Sequence, residues 1–141
     1  VEKINSPNFE CVIVGGTDPR VFSKKNTDLP KWVKHVGYVT DGELKSLYRH
    51  AKCFVFPSIY EGYRLPPTQA LALGCPVISS NTASMPEVCG SHVTYFSPTD
   101  STELAHLIKQ HMARSSSDTH SKFAYVAPKW RDAAIDIARL T

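Results

Sequence analysis

Five short apolar runs punctuate the chain: Cys11–Val14, Val33–Val36, Cys53–Phe56, Pro76–Ser79 and Val93–Phe96. Their brevity and their Val, Ile and Phe content suit strands buried on both faces, the habit of a parallel sheet. Between them stand segments with helix punctuation. Thr40-Asp41-Gly42-Glu43 has the form of a capping box, and Leu44, Leu47, Tyr48 and Ala51 follow at helical spacing, which predicts a helix from Asp41 to Ala51. Pro66 and Pro67 fit a first helical turn, where their missing N–H groups would have had no partner. Gly74 suits a left-handed end with Pro76 just beyond it, so a helix is expected from Pro66 to Leu73. Ser84-Met85-Pro86-Glu87 reads as another start, stopped at Gly90. Asp100 can cap a helix with Glu103 in its first turn and Leu104, Leu107, Ile108 and Met112 as its buried stripe. A last helix is expected from Pro128 to Leu140. The stretch Gly15–Lys31 is too polar and broken to assign.

Strands that alternate with helices imply an α/β protein: a Rossmann-like three-layer α/β/α arrangement with a parallel sheet covered on both faces. The 141 residues suffice for one compact domain with a core. The chain opens without an initiator methionine and almost at once with a strand, as expected of a piece of a longer protein. In such sheets ligands bind beyond the carboxyl ends of the strands. That rule singles out Gly15-Gly16, Gly37-Tyr38, Pro57–Leu65 and Ser80–Ser84.

Charge and cysteine usage remove several classes. The net charge is +3, but the basic residues are scattered and only Lys24-Lys25 are adjacent, so no nucleic-acid stripe is expected. Four cysteines form no CxxC pair and read as buried free thiols in a reducing, cytoplasmic setting. The six histidines lack HxxxH or HExxH spacing; they are read as surface or interface residues, and no metal site is expected. No apolar run approaches the roughly 20 residues needed to cross a membrane, and no signal-peptide pattern opens the chain.

Residues 61 to 80 read EGYRLPPTQALALGCPVISS. Gly62 lets the backbone bend and approach a ligand closely. Amides around Tyr63, Arg64, Leu65 and Thr68, with the helix dipole, would favour an anion such as pyrophosphate. Glu61 is ill suited to a phosphate but well suited to accept hydrogen bonds from sugar hydroxyls, and Gln69 could reach a ribose. A second reading stays open on the residues alone: Glu61 caps the helix or faces water, and the prolines only stiffen a loop.

The stretch from His35 to Gly90, HVGYVTDGELKSLYRHAKCFVFPSIYEGYRLPPTQALALGCPVISSNTASMPEVCG, resembles the C-terminal, donor-binding domain of family 4 retaining glycosyltransferases, one half of a GT-B fold. The likeness spans about Val12 to Phe96, with KWRDAAIDIA similar to the family's closing helix. A strand ending in Gly-Gly, the GYV turn, the FPS strand end, the E-x7-E region and the PEV-G turn appear in the family's order. The resemblance implies that residues 1–141 form a single nucleotide-sugar-binding domain without the N-terminal acceptor domain. It implies an enzyme that transfers a hexose from a UDP- or GDP-sugar to a glycan, lipid or other acceptor, without metal or other cofactor.

Carried onto this sequence, the resemblance makes Glu61 the residue that positions the donor sugar. Backbone groups of Gly62, Tyr63, Arg64 and Leu65, with Gly15 and Gly16, hold the diphosphate. Gly37, Tyr38 and Val39 read the nucleotide. Gln69 stands where the family has a second Glu, on the ribose. An amide there is expected to bind about 1 kcal/mol more weakly than a carboxylate. Arg64 replaces a residue that is usually glycine; it either adds charge beside the phosphates or turns away. Ser58 either lines the pocket or shapes a turn, and Glu87 is expected to complete a capping box with Ser84. The family's phosphate-holding Arg and Lys would precede Val1, so weak donor binding and no efficient transfer are expected of the chain alone. A full-length enzyme would be cytoplasmic, with peripheral membrane association allowed. Two other readings remain: a non-catalytic module whose donor binding Gln69 weakens, and another GT-B enzyme, such as a nucleotide-sugar epimerase or a glycogen-synthase-like transferase.

Overall fold

The computed structural model describes residues 9–16, 29–59, 65–82 and 85–114. The chain divides into two compact units, Val1–Leu47 and Tyr48–Thr141. The first holds strands β1 (Cys11–Val14) and β2 (Val33–Gly37), which pair in parallel with a register shift between Ile13 and Val14. Phe9 and Trp32 meet edge to face at 5.3 Å beside the start of this pair, where the Cys11 amide donates to the Trp32 carbonyl at 2.8 Å. Cys11, Ile13, Val33 and His35 are covered to varying degrees. Val12, Val14 and Val36 alternate with them and stay exposed.

Helix α1 (Asp41–His50) begins as its capping box predicts: the Glu43 carboxylate accepts from the Thr40 amide at 2.7 Å, and the Glu43 amide donates back to Thr40 Oγ1 at 3.3 Å. Donation from the Thr40 amide, then from the Thr40 hydroxyl at 2.7 Å, holds the Glu43 carboxyl below its ordinary range. In the second unit, β3 (Phe54–Phe56), β4 (Val77–Ser80) and β5 (Val93–Phe96) form a parallel sheet in that order. Helices α2 (Leu65–Ala72) and α3 (Met85–Cys89), the latter followed by a 3-10 turn at Gly90–His92, make the crossovers. Helix α4 (Ser101–Ala113) follows β5. Central β4 is buried at all four positions, and Pro67, Ala70 and Leu71 form the covered face of α2. Tyr48 packs edge to face on Phe54 at 5.1 Å.

Two helix ends follow their sequence signals closely. Gly74 takes φ +78, its amide donates to the Leu71 carbonyl at 2.9 Å and that of Cys75 to Ala70 at 2.9 Å, the paired bonds of a Schellman motif. The Asp100 carboxylate accepts from the amides of Thr102 and Glu103, both at 2.9 Å. The α4 stripe differs from expectation. Ala105 and His111 are its buried residues, whereas Leu104, Leu107, Ile108 and Met112 are only half-buried. His111 lies three residues beyond Ile108 and seven beyond Leu104, on the apolar face, and so is not the surface residue that histidine spacing alone suggested. The expected helix from Pro128 to Leu140 and the Ser84 cap lie outside the described residues.

Candidate functional site

In the first unit the structure brings five predicted residues together. Gly15 adopts φ +126 and Gly37 φ +70, the left-handed region that favours glycine. The Gly15 amide donates to the Gly37 carbonyl at 2.9 Å, tying the carboxyl ends of β1 and β2 into one turn. A Cβ on Gly16 would run into the Tyr38 ring, 2.8 Å from its Cζ, so the absence of a side chain there makes the ring's seat. The rest of that ring is open: Tyr38 is 87% exposed, while Val39 beside it is half-buried. A large aromatic left this bare at a strand end departs from ordinary burial.

In the second unit Ser58 follows β3, Leu65 opens α2, and Gln69 lies exposed on α2 away from the face made by Pro67, Ala70 and Leu71. Glu61, Gly62, Tyr63 and Arg64 fall outside the described residues. Beside Ser58 stand Ser79, at the end of an expected strand, and Ser80 and Thr82, which fall in the expected ligand-side stretch Ser80–Ser84 without an individual role. Ser79 Oγ donates to the Phe56 carbonyl at 3.3 Å, Ser80 Oγ donates to the Ser58 carbonyl, and Thr82 Oγ1 reaches the same carbonyl at 3.1 Å. Besides the strand-end position, their sequence signal is a run of small polar residues, SSNT, at the end of an otherwise apolar strand.

The carboxyl ends of β4 and β5 flank a hollow of ≈ 310 Å³ lined by Asn81, Tyr95, Phe96, Ser97, Pro98 and Glu103. Its carboxylate is already engaged, because Glu103 accepts from the Ser97 amide at 2.8 Å. Glu87, exposed in the first turn of α3, lies outside this hollow. Tyr95 instead ties α3 to β5, its hydroxyl reaching the carbonyls of Met85 at 3.1 Å and Gly90 at 2.9 Å. Burial, with the nearby Cys89, raises this phenol to about 12.

Burial, with Cys53 nearby, likewise pushes the Cys75 thiol up to about 12, so it stays protonated and is no nucleophile near neutral pH. No disulfide joins the four cysteines; Cys75 and Cys89 are buried and Cys11 and Cys53 half-buried. Among the described residues no three His, Cys, Asp or Glu side chains gather as metal ligands, and no helix is long and apolar enough to cross a membrane.

His111 carries a pH consequence. Burial, then the charge of Arg114, lowers its pKa from 6.5, and among the described residues its Nδ1 meets no hydrogen-bond partner. The folded chain therefore binds this proton less readily than the unfolded chain. The stability tied to neutral His111 is fully present above about 6.5 and is lost as pH falls from there through the lowered folded value. One such group bends stability by at most about 1.4 kcal/mol per pH unit. Urea midpoints measured from roughly pH 8 to roughly pH 5 should fall in the wild type and fall less steeply in His111→Leu; equal slopes would dismiss the effect.

Parallel strands joined by helical crossovers, with glycine turns at the carboxyl ends of β1 and β2, define an α/β protein. The chain belongs to the glycosyl transferases group 1 family, whose model matches residues 1–130. It is 42% identical over 87 residues to the O-antigen chain mannosyltransferase B of Escherichia coli, covering 62% of this chain and 22% of that protein. It is 33% identical over 103 residues to the O-antigen chain mannosyltransferase RfbU of Salmonella typhimurium, covering 70% of this chain and 29% of that one. The chain thus spans less than a third of either relative. Among solved structures, the HepE protein of Anabaena, determined with UDP and glucose, superposes with a TM-score of 0.70 at 18% identity, covering 96% of this chain and 37% of the other. The fold is that of the GT-B glycosyltransferases.

Proposed function

We propose that this chain is the C-terminal, donor-binding domain of a retaining family 4 hexosyltransferase, which takes its sugar from a nucleoside-diphosphate donor. Because both sequence relatives above carry mannosyltransferase names, mannose is the hexose we assign. The acceptor, a glycan or lipid, meets the donor through an N-terminal domain outside residues 1–141. The supporting observation is the glycine-tied turn at Gly15 and Gly37 with the Tyr38 ring laid bare beside it.

In this reading Gly37, Tyr38 and Val39 take the nucleoside, and Gly15 and Gly16 present backbone to phosphate. Glu61 accepts hydrogen bonds from sugar hydroxyls, while amides of Gly62, Tyr63, Arg64 and Leu65 meet the diphosphate. Ser58 and Gln69 complete the nucleotide contacts. When the glycosidic bond breaks, its electron pair leaves with the diphosphate oxygen. Preorganised N–H groups stabilise the charge that grows there, which is how such a site lowers the barrier. No metal or other cofactor has a role in this reading. In this reading the chain alone binds donor weakly and transfers sugar inefficiently, since the acceptor side of the cleft is supplied by another domain.

The test is an NMR titration of the chain with UDP, GDP and ADP, then with the corresponding nucleotide sugars, repeated with Glu61→Ala. Shifts at residues 37–39 and 58–69 with one nucleotide, and a sugar-dependent increment that Glu61→Ala abolishes, are expected. Silence with all three nucleotides would instead favour a non-catalytic module, the reading to which the exposed amide of Gln69 in place of a carboxylate lends weight.

A further inference from the structure

The hollow at the carboxyl ends of β4 and β5 lies on the same rim of the sheet as Ser58, because β4 stands between β3 and β5 and all three strands run parallel. Ligands of such sheets bind along this rim. The walls of the hollow are fixed by the protein's own bonds. The Asn81 amide donates to the Phe96 carbonyl at 2.8 Å and so joins the two strand ends. The turn from Ser97 to Asp100 is closed by the Asp100 amide on the Ser97 carbonyl at 2.9 Å and by the Ser97 amide on Glu103 Oε2 at 2.8 Å.

The polar groups left over share one chemistry. In the run SSNT, Ser79, Ser80 and Thr82 turn their hydroxyls to the protein's own carbonyls. Among the described residues the Asn81 side-chain amide has no partner, and neither has Glu103 Oε1. The Ser97 hydroxyl, 3.2 Å from Thr99 Oγ1, can still take a further bond. An amide, a hydroxyl and a carboxylate set around one hollow offer donors and acceptors together, which suits a ligand dense in hydroxyls. A phosphate would meet the Glu103 carboxylate instead. The α4 amides that could have held it, those of Thr102 and Glu103, already bond Asp100. The volume of ≈ 310 Å³ is the space of about ten waters, enough for one sugar ring and too little for a whole nucleotide sugar.

We infer that this hollow is a sugar subsite for the acceptor glycan, in which Asn81, Ser97 and Glu103 pair with the hydroxyls of one neutral sugar unit. The acceptor assignment rests on the proposed transfer to a glycan; the sugar-binding chemistry of the hollow does not.

The test is an NMR titration of the chain with the methyl α-glycosides of mannose, glucose and galactose, and separately with inorganic phosphate, GDP and GDP-mannose. Saturable shifts at the amides of Asn81, Ser97 and Glu103 are expected with at least one glycoside at millimolar concentration. Asn81→Ala keeps the backbone bond to Phe96 and should weaken that glycoside about fivefold, the worth of one hydrogen bond. Should Asn81→Ala not fold, Ser97→Ala carries the comparison. No shift at these residues with any glycoside, or equal affinity in the folded variant, would overturn the inference, and so would shifts there with phosphate. Shifts there with GDP-mannose, but with neither GDP nor a glycoside, would give the hollow to the donor sugar and overturn the acceptor assignment. Glycoside shifts at the hollow in a chain whose residues 37–39 ignore GDP and GDP-mannose would overturn the donor reading and leave the sugar subsite standing.

Discussion

Ile78→Ala is expected to lower the free energy of unfolding by about 3 kcal/mol. Ile78 is 0% exposed at the middle of β4, paired with Val55 of β3 on one side and Thr94 of β5 on the other. The central strand of a three-stranded sheet cannot move toward one neighbour without parting from the other, so the space left by the lost carbons stays open. Leu71, 1% exposed, is held on α2, whose end is pinned by the Schellman bonds at Gly74 and Cys75, which also limits collapse. Ile78→Val, which removes one methylene, should cost about 1 kcal/mol. Urea unfolding checks both: the midpoints should shift in that ratio with a constant slope. An Ile78→Ala chain within about 0.5 kcal/mol of wild type, the range of surface changes, would contradict the core described here.

The second large effect is on ligand rather than stability. Tyr38→Ala should weaken binding of the matching nucleoside diphosphate about tenfold, since stacking a base on an aromatic side chain is worth about 1–3 kcal/mol. Tyr38→Phe, which keeps the ring, should bind nearly as wild type. Because Tyr38 is 87% exposed, neither change should move the unfolding midpoint appreciably. Gly16→Ala offers an independent route to the same end. Its new Cβ would displace the Tyr38 ring from its seat, at small cost to the fold because the far end of an exposed side chain can swing away. Equal nucleotide affinity in wild type and Tyr38→Ala, read by calorimetry, would remove the ring from the site.

Much of the architecture was legible because its signals are local. Each expected strand lies within one residue of an observed one, since a short apolar run between turn residues states its own limits. The capping box at Thr40 and Glu43, the Asp100 cap and the glycine end at Gly74 involve groups no more than five residues apart, so the chain carries both partners side by side. His111 was legible too, through its distance from Ile108 and Leu104, but a search for metal-ligand spacing looks past an apolar face. The five described strands form two parallel sheets, β1–β2 and β3–β4–β5, and pairing of that sort cannot be read from runs that all look alike.

The candidate site divides in the same way. Gly15, Gly37 and Gln69 could be chosen from sequence because glycine at a strand end and a polar residue on a helix each speak for themselves. That Gly15 donates to Gly37, and that Gly16 gives Tyr38 its seat, depends on two strands 22 residues apart in their starts (Cys11 and Val33) lying in register. The hold of Ser80 and Thr82 on one carbonyl likewise spans 22 and 24 residues of chain. By itself the sequence determined where elements begin and end and which residue types stand at strand ends, because caps, turns and apolar runs are short-range chemistry. Only the tertiary structure decided which hydroxyl meets which carbonyl and which ring lies bare, because those contacts are set by strand register, and register is settled by packing between segments distant in the chain.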